Sequence, residues 1–87
     1  MLDVVYHARF IKSATVLSGK HRRKLFDLIE RLRTSPYDPL LHTKNLTEPL
    51  IGLLSFRISR DWRVLFRFVD ERTLQLIRVK HRKDVYR

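Results

Sequence analysis

The sequence predicts an α+β fold, with one strand, two helices and then three strands in chain order. Three observations predict it. From Leu53 to Val69, apolar and polar residues alternate, and the arginines fall opposite the aromatics. Ahead of that run, two stretches repeat their apolar residues at helical spacing. The chain also begins with a short β-branched and aromatic segment, LDVVY. Residues 1–87 read as a single small domain, with no internal repeat or linker.

Leu2–Tyr6 fits a first strand. From His7 to Leu17 the period changes. Phe10, Ala14 and Leu17 lie on one helical stripe with Ile11 beside them, and Gly19 is a candidate C-terminal cap or hinge. A second helix runs from Ser18 or Gly19 to Thr34, with Leu25, Leu28, Ile29 and Leu32 as its buried stripe. Its first turn carries Lys20, His21, Arg22, Arg23 and Lys24, against the helix dipole. That cluster is either a solvated face or a contact for phosphates. Pro36 ends the helix, because the residue before a proline avoids the helical region.

Residues 36–50 read as a loop punctuated by Pro36, Pro39 and Pro49. Leu40, Leu41 and Leu46 are expected to pin it, and it carries His42 and Lys44. Gly52 allows a tight entry into the next strand. With a three-residue turn at Ser59-Arg60-Asp61, Leu54 faces Phe66, Phe56 faces Val64 and Ile58 faces Trp62. That face takes Phe68 as well. On the back, Arg57 faces Arg63, with Leu53, Ser55, Leu65 and Arg67 on the same side. A slip of one residue would mix the two faces, so the register is well specified. Two opposed arginines either hold an anion between them or splay into solvent.

Asp70-Glu71-Arg72 makes the next turn, and Thr73–Lys80 the last strand. Its pattern is mixed, with Leu74 and Leu76 on one face and Ile77 and Val79 on the other. A bulge or two-sided burial would account for it. The tail from His81 to Arg87 is basic, with Val85 and Tyr86 its apolar members.

Lysine plus arginine number 19 against 9 acidic residues, a net charge of +10. Such a balance implies a polyanionic partner, nucleic acid or an acidic protein. With no cysteine, there is neither a disulfide nor a thiolate metal site. No metal-ligand spacing joins His7, His21, His42 and His81, and no glycine-rich phosphate loop occurs, so no cofactor or metal is expected. The N-terminus lacks the pattern of a secretory signal and no apolar run approaches a membrane span, so a cytoplasmic protein is expected.

The clustered inventory of arginines, lysines, histidine and tyrosine suits cleavage of RNA by its own 2′-hydroxyl. That reaction needs in-line positioning, cations on the pentavalent phosphate, a base and an acid. Arg57 and Arg63 are the candidate cations. His81, His42 or a lysine is the candidate acid or base, and Tyr86 a stacking or proton-transfer group. Tyr86 is otherwise an anchor for the tail, and the arginines a contact for an acidic partner.

Two segments, RISRDWRVLF at Arg57–Phe66 and KHRKDVY at Lys80–Tyr86, together with the element order, resemble the RelE/ParE superfamily of bacterial toxins. The similarity covers the whole chain and is nearest to RelE-like and YafQ-like mRNA interferases. The resemblance implies an antiparallel sheet with two helices packed on one face. It implies metal-independent cleavage of mRNA in the ribosomal A site. The partners it implies are an acidic antitoxin of the RelB/DinJ kind, mRNA on the ribosome and 16S rRNA. Carried over by position, Arg57, Arg63, His81 and Tyr86 form the catalytic set. His42, Lys44, Arg67, Lys80, Arg82 and Lys83 contact RNA or ribosome. Asp61-Trp62 resembles a pair in the YafQ branch. Leu53, Ser55 and Arg57 supply one cation where RelE relatives carry a basic pair, which leaves the acid and base open. Two other readings share the scaffold: a ParE-like inhibitor that binds gyrase without cutting RNA, and a basic RNA-binding module.

Overall fold

A computed structural model describes residues 1–86; Arg87, the end of the basic tail, lies outside the described residues. β1 (Asp3–Tyr6) is followed by α1 (Ala8–Ser13), which tightens into a 3-10 turn at Ala14–Val16. α2 spans Gly19–Thr34. A 3-10 turn at Pro39–Leu41 leads to β2 (Lys44–Asn45), then β3 (Leu54–Arg57), β4 (Trp62–Asp70) and β5 (Thr73–His81). A last 3-10 turn covers Arg82–Asp84.

The sheet order is β1-β5-β4-β3-β2. β1 lies parallel to β5, and the other pairs are antiparallel. The sheet is therefore mostly antiparallel, and β2 is an edge strand within what reads as loop in the sequence. The break between the helices also differs from the sequence reading. Leu17 is extended (ψ 142°), and the Ser18 side chain accepts from the His21 N–H, so Ser18 caps α2 and Gly19 is its first residue rather than the cap of α1. At the other end, α2 stops at Thr34, where Ser35 turns extended ahead of Pro36.

The hairpin register is the one the faces demand. Leu54 pairs with Phe66, Phe56 with Val64, and Arg57 with Arg63. Both helices cover one face of the sheet. Phe10 and Leu17 join the α2 stripe Leu25, Leu28, Ile29 and Leu32 against Phe56, Ile58, Val64, Phe66, Leu74 and Leu76. Ile11, placed beside the Phe10, Ala14 and Leu17 stripe by spacing, is 62 % exposed, because α1 lasts under two turns and turns only Phe10 inward. Leu40 is likewise exposed, while Leu41 and Leu46 pin the loop.

β5 carries an extra residue. Leu65 pairs with Arg78 and Phe66 with Leu76, which leaves Ile77 as a bulge. The bulge shifts the alternation by one, so Val79 joins Leu74 and Leu76 in the helix-side core instead of facing away with Ile77. The second face of the sheet is partly covered too. Leu46, Leu65 and Val85 are buried there with Leu50, Leu53 and Ile77 around them. Gly52 has φ +93°, the left-handed region that favours glycine at the entry to β3.

Candidate nucleic-acid interface

The β3–β4 hairpin places Arg57 and Arg63 at its closed end. The turn closes when the Ile58 and Ser59 N–H groups donate to the Trp62 carbonyl, at 3.0 and 3.4 Å. Arg63 then reaches over the turn. Its Nη1 donates to the carbonyls of Ser59 (2.7 Å), Arg60 (2.9 Å) and Trp62 (3.3 Å). One nitrogen thus clamps the hairpin loop and fixes the side chain, leaving the rest of the guanidinium for other partners.

Arg63 is half-buried, and its pKa is held below the usual arginine value. Burial is the largest cause, followed by the charges of Arg57 and Arg82, with Asp61 acting in the opposite sense. Three guanidiniums therefore repel one another at the hairpin end. Arg82 is brought there by a staple: its backbone N–H donates to the Asp61 carbonyl (2.7 Å), and its Nε lies 3.4 Å from Asp61 Oδ1. The Asp61 contact gives no separate signal in the sequence, since it joins residues 21 positions apart across a strand.

Lys80 pairs with Arg63 across β4 and β5, on the same face. Its Nζ donates to the Asp84 carbonyl at 3.1 Å. The next rung alternates. Trp62 pairs with His81, edge to face with ring centroids 5.3 Å apart, on the helix side. His81 thus stands at the same end of the sheet as Arg63 but on the opposite face. Its Nδ1 accepts from the Lys83 N–H (3.2 Å), so a neutral ring carries its proton on Nε2. Val85 is buried against the Leu65 cluster, which draws the tail across the helix-free face and leaves Tyr86 next in line, 47 % exposed.

The remaining candidates are dispersed. Arg67 shares the Arg63 face farther along β4, where its Nε donates to Gln75 Oε1 at 2.9 Å. Lys44 is exposed on the edge strand opposite Ser55. His42 ends the preceding 3-10 turn in a left-handed conformation (φ 51°) and is exposed. Lys83 is exposed in the tail turn. Among the described residues, no three His, Cys, Asp or Glu side chains gather as a metal-binding group. No helix among them is long and apolar enough to cross a membrane.

Solved structures share this architecture. YafQ from E. coli BL21(DE3) superposes with a TM-score of 0.80 at 18 % identity, each chain covered over 100 % of its length. A mutant toxin from Helicobacter pylori, solved with copper bound, gives 0.79 at 22 % identity, with 99 % of this chain and 100 % of that one covered. A YoeB/ParE toxin from Agrobacterium tumefaciens gives 0.77 at 19 % identity over 92 % and 98 %. No curated protein sequence matches the chain. A family model does, the ParE toxin of type II toxin–antitoxin systems, over residues 4–86. With nearly the whole chain inside that match, the protein belongs to the ParE toxin family of type II toxin–antitoxin systems.

Proposed function

We propose that this toxin is an endoribonuclease that cuts messenger RNA in the ribosomal A site and is neutralised by an acidic antitoxin. The observation that carries the reading is the crowding of Arg57, Arg63 and Arg82 at one hairpin end, with Lys80 beside them. Crowded like charges are costly until an anion arrives, and a phosphate gaining charge in a transition state is the anion that benefits most.

In this mechanism the 2′-oxygen attacks the adjacent phosphorus in line, and the 5′-oxygen of the next nucleotide leaves. The products are a 2′,3′-cyclic phosphate and a 5′-hydroxyl. Arg57 and the unclamped part of Arg63 hold the non-bridging oxygens. Lys80 shares the Arg63 face, and in this reading it exchanges a proton with the attacking or leaving oxygen. His81 takes that role only after its ring leaves the Lys83 amide, because that contact occupies the lone pair of the neutral imidazole. Tyr86 supplies a ring for a base to stack on.

The antitoxin reading is supported by charge, since +10 on 87 residues complements an acidic chain. Solved relatives include YafQ with DinJ from E. coli and YoeB with YefM from Staphylococcus aureus. A second reading, gyrase inhibition by binding alone, is favoured by the ParE description of the matching family.

The deciding experiment is primer extension on an mRNA in a reconstituted translation system, with and without ribosomes. Cuts at A-site codons only when ribosomes are present support the proposal. Cuts on free RNA keep the nuclease and remove the ribosome. No cuts, with inhibition in a parallel supercoiling assay, move the protein to the gyrase reading.

A further inference from the structure

On the opposite side of β5 from β4 lies a groove that the arginine cluster does not use. β1 pairs with β5 only as far as Leu76, so residues 77–81 present their outer edge to α1. The Val79 N–H donates to Ser13 Oγ at 2.8 Å, which closes the floor between helix and strand. The groove has a volume of about 890 Å³, toward the upper end of the roughly 300–1,000 Å³ typical of ligand clefts. Its walls carry Arg9 and Lys12 from α1 and Arg78 and Lys80 from β5, with Asp84 as the acidic residue of the lining. Among the described residues, none of the Arg9, Lys12 and Arg78 side chains has a hydrogen-bond or ion-pair partner. Trp62 and Val16, the latter 61 % exposed, supply apolar surface in the same groove.

We propose that this groove binds single-stranded RNA, with phosphates on Arg9, Lys12 and Arg78 and a base against Trp62. Cations interleaved with an aromatic surface are the pattern that sequence-tolerant binding of single strands requires. A purely apolar ligand would leave three desolvated charges unpaired. The position also fits. Lys80 lines the groove and is the cross-strand partner of Arg63, so the groove runs up to the arginine cluster around the end of β5. One strand can therefore pass from the arginines into the groove, which would hold nucleotides flanking the scissile phosphate. This deepens the nuclease reading and rests on RNA being the substrate.

Trp62 is the sole tryptophan, so its fluorescence reports on the groove directly. The probe is a 2′-O-methyl decauridylate, which cannot be cut, titrated into the purified full chain at several salt concentrations. We expect quenching of Trp62. In the Arg9→Ala/Lys12→Ala/Arg78→Ala variant the midpoint should weaken on the order of tenfold or more. The slope of log K against log salt should fall by about 2, at roughly 0.7 per lost phosphate contact. The three residues are exposed, and a triple glutamine variant serves if the alanine form does not fold. Unchanged affinity and slope in the folded triple variant would overturn the proposal, as would a Trp62 signal indifferent to RNA. A decaglutamate peptide that quenches Trp62, depends on the same three residues and resists displacement by RNA would assign the groove to an acidic protein and also overturn it. Because the probe is uncleavable, failure of the primer-extension experiment leaves this result readable by itself.

Discussion

Arg57 and Arg63 stand directly opposite each other on β3 and β4, and only Arg63 is tied down, by three carbonyls of the hairpin turn. The pair is asymmetric for that reason. Arg63 holds the loop and its charge is strained by its neighbours, whereas Arg57 adds charge to the cluster.

The two arginines should therefore separate in stability. Arg63→Ala removes charge-assisted bonds to the turn and should cost about 1–2 kcal/mol. Arg57→Ala relieves repulsion and should leave stability unchanged or raise it by a few tenths. Urea unfolding of both variants checks this. Equal midpoints for wild type and Arg63→Ala would show that the clamp is worth no more than the repulsion from Arg57 and Arg82 that the substitution relieves.

Ser13 joins α1 to the free edge of β5, accepting from the Val79 N–H and donating to the Phe10 carbonyl at 3.1 Å. Ser13→Ala leaves the Val79 N–H without its partner and should cost about 1–2 kcal/mol. Amide exchange at Val79 should quicken more than at Val64 in the sheet centre. Equal changes at both would mean a global rather than local effect.

Phe56 is fully buried and stacks obliquely on Phe66, with centroids 5.8 Å apart and planes at 55°. Phe56→Ala should cost about 3–5 kcal/mol, a large part of the roughly 5–15 kcal/mol a domain holds. The variant should be largely unfolded at 37 °C, while Phe56→Leu should fold. Circular dichroism melts distinguish the two.

Asp38 carries a pH dependence. Its carboxylate accepts from the Leu40 N–H (2.9 Å) and pairs with Arg31 (3.2 Å), and these hold its pKa below the ordinary carboxylate value. The backbone bond is the larger cause, with burial opposing it. A depressed folded-state pKa stabilises fully above the unfolded carboxylate range, and that stabilisation disappears as pH falls through the folded value. Asp38→Asn should thus be less stable than wild type at pH 7 and lose less on acidification to pH 3. Parallel loss in both proteins would remove Asp38 from the acid response.

Tyr86 separates stacking from proton transfer. Under the nuclease reading, Tyr86→Phe should keep most RNA cleavage and growth arrest. Tyr86→Ala should reduce cleavage on the order of tenfold or more, at about 1–3 kcal/mol per stacked base. If Phe is as damaged as Ala at equal expression, the hydroxyl is the working group.

Several features were legible in the sequence because they depend on local periodicity. Leu25, Leu28, Ile29 and Leu32 all lie in the core, and the Leu54–Phe66 and Arg57–Arg63 rungs formed in the expected register. The mixed pattern of β5 left a bulge or two-sided burial open, and neither the bulge's place at Ile77 nor its consequence for Val79 was readable. Long-range contacts left no such trace. β2 is too short to show a period, and the parallel pairing of β1 with β5 joins opposite ends of the chain.

The candidate site divides along the same line. That Arg57 and Arg63 share a face follows from alternation alone, and the net charge of +10 from composition alone. What only the tertiary structure decided is which cations meet. It stapled Arg82 to Asp61, set His81 on the face opposite Arg63, and opened the groove of Arg9, Lys12 and Arg78 where β1 stops short of the end of β5. Periodicity fixes the direction a side chain points within its own element. The neighbours it meets depend on how elements separated by tens of residues pack, and that is settled by burying the core.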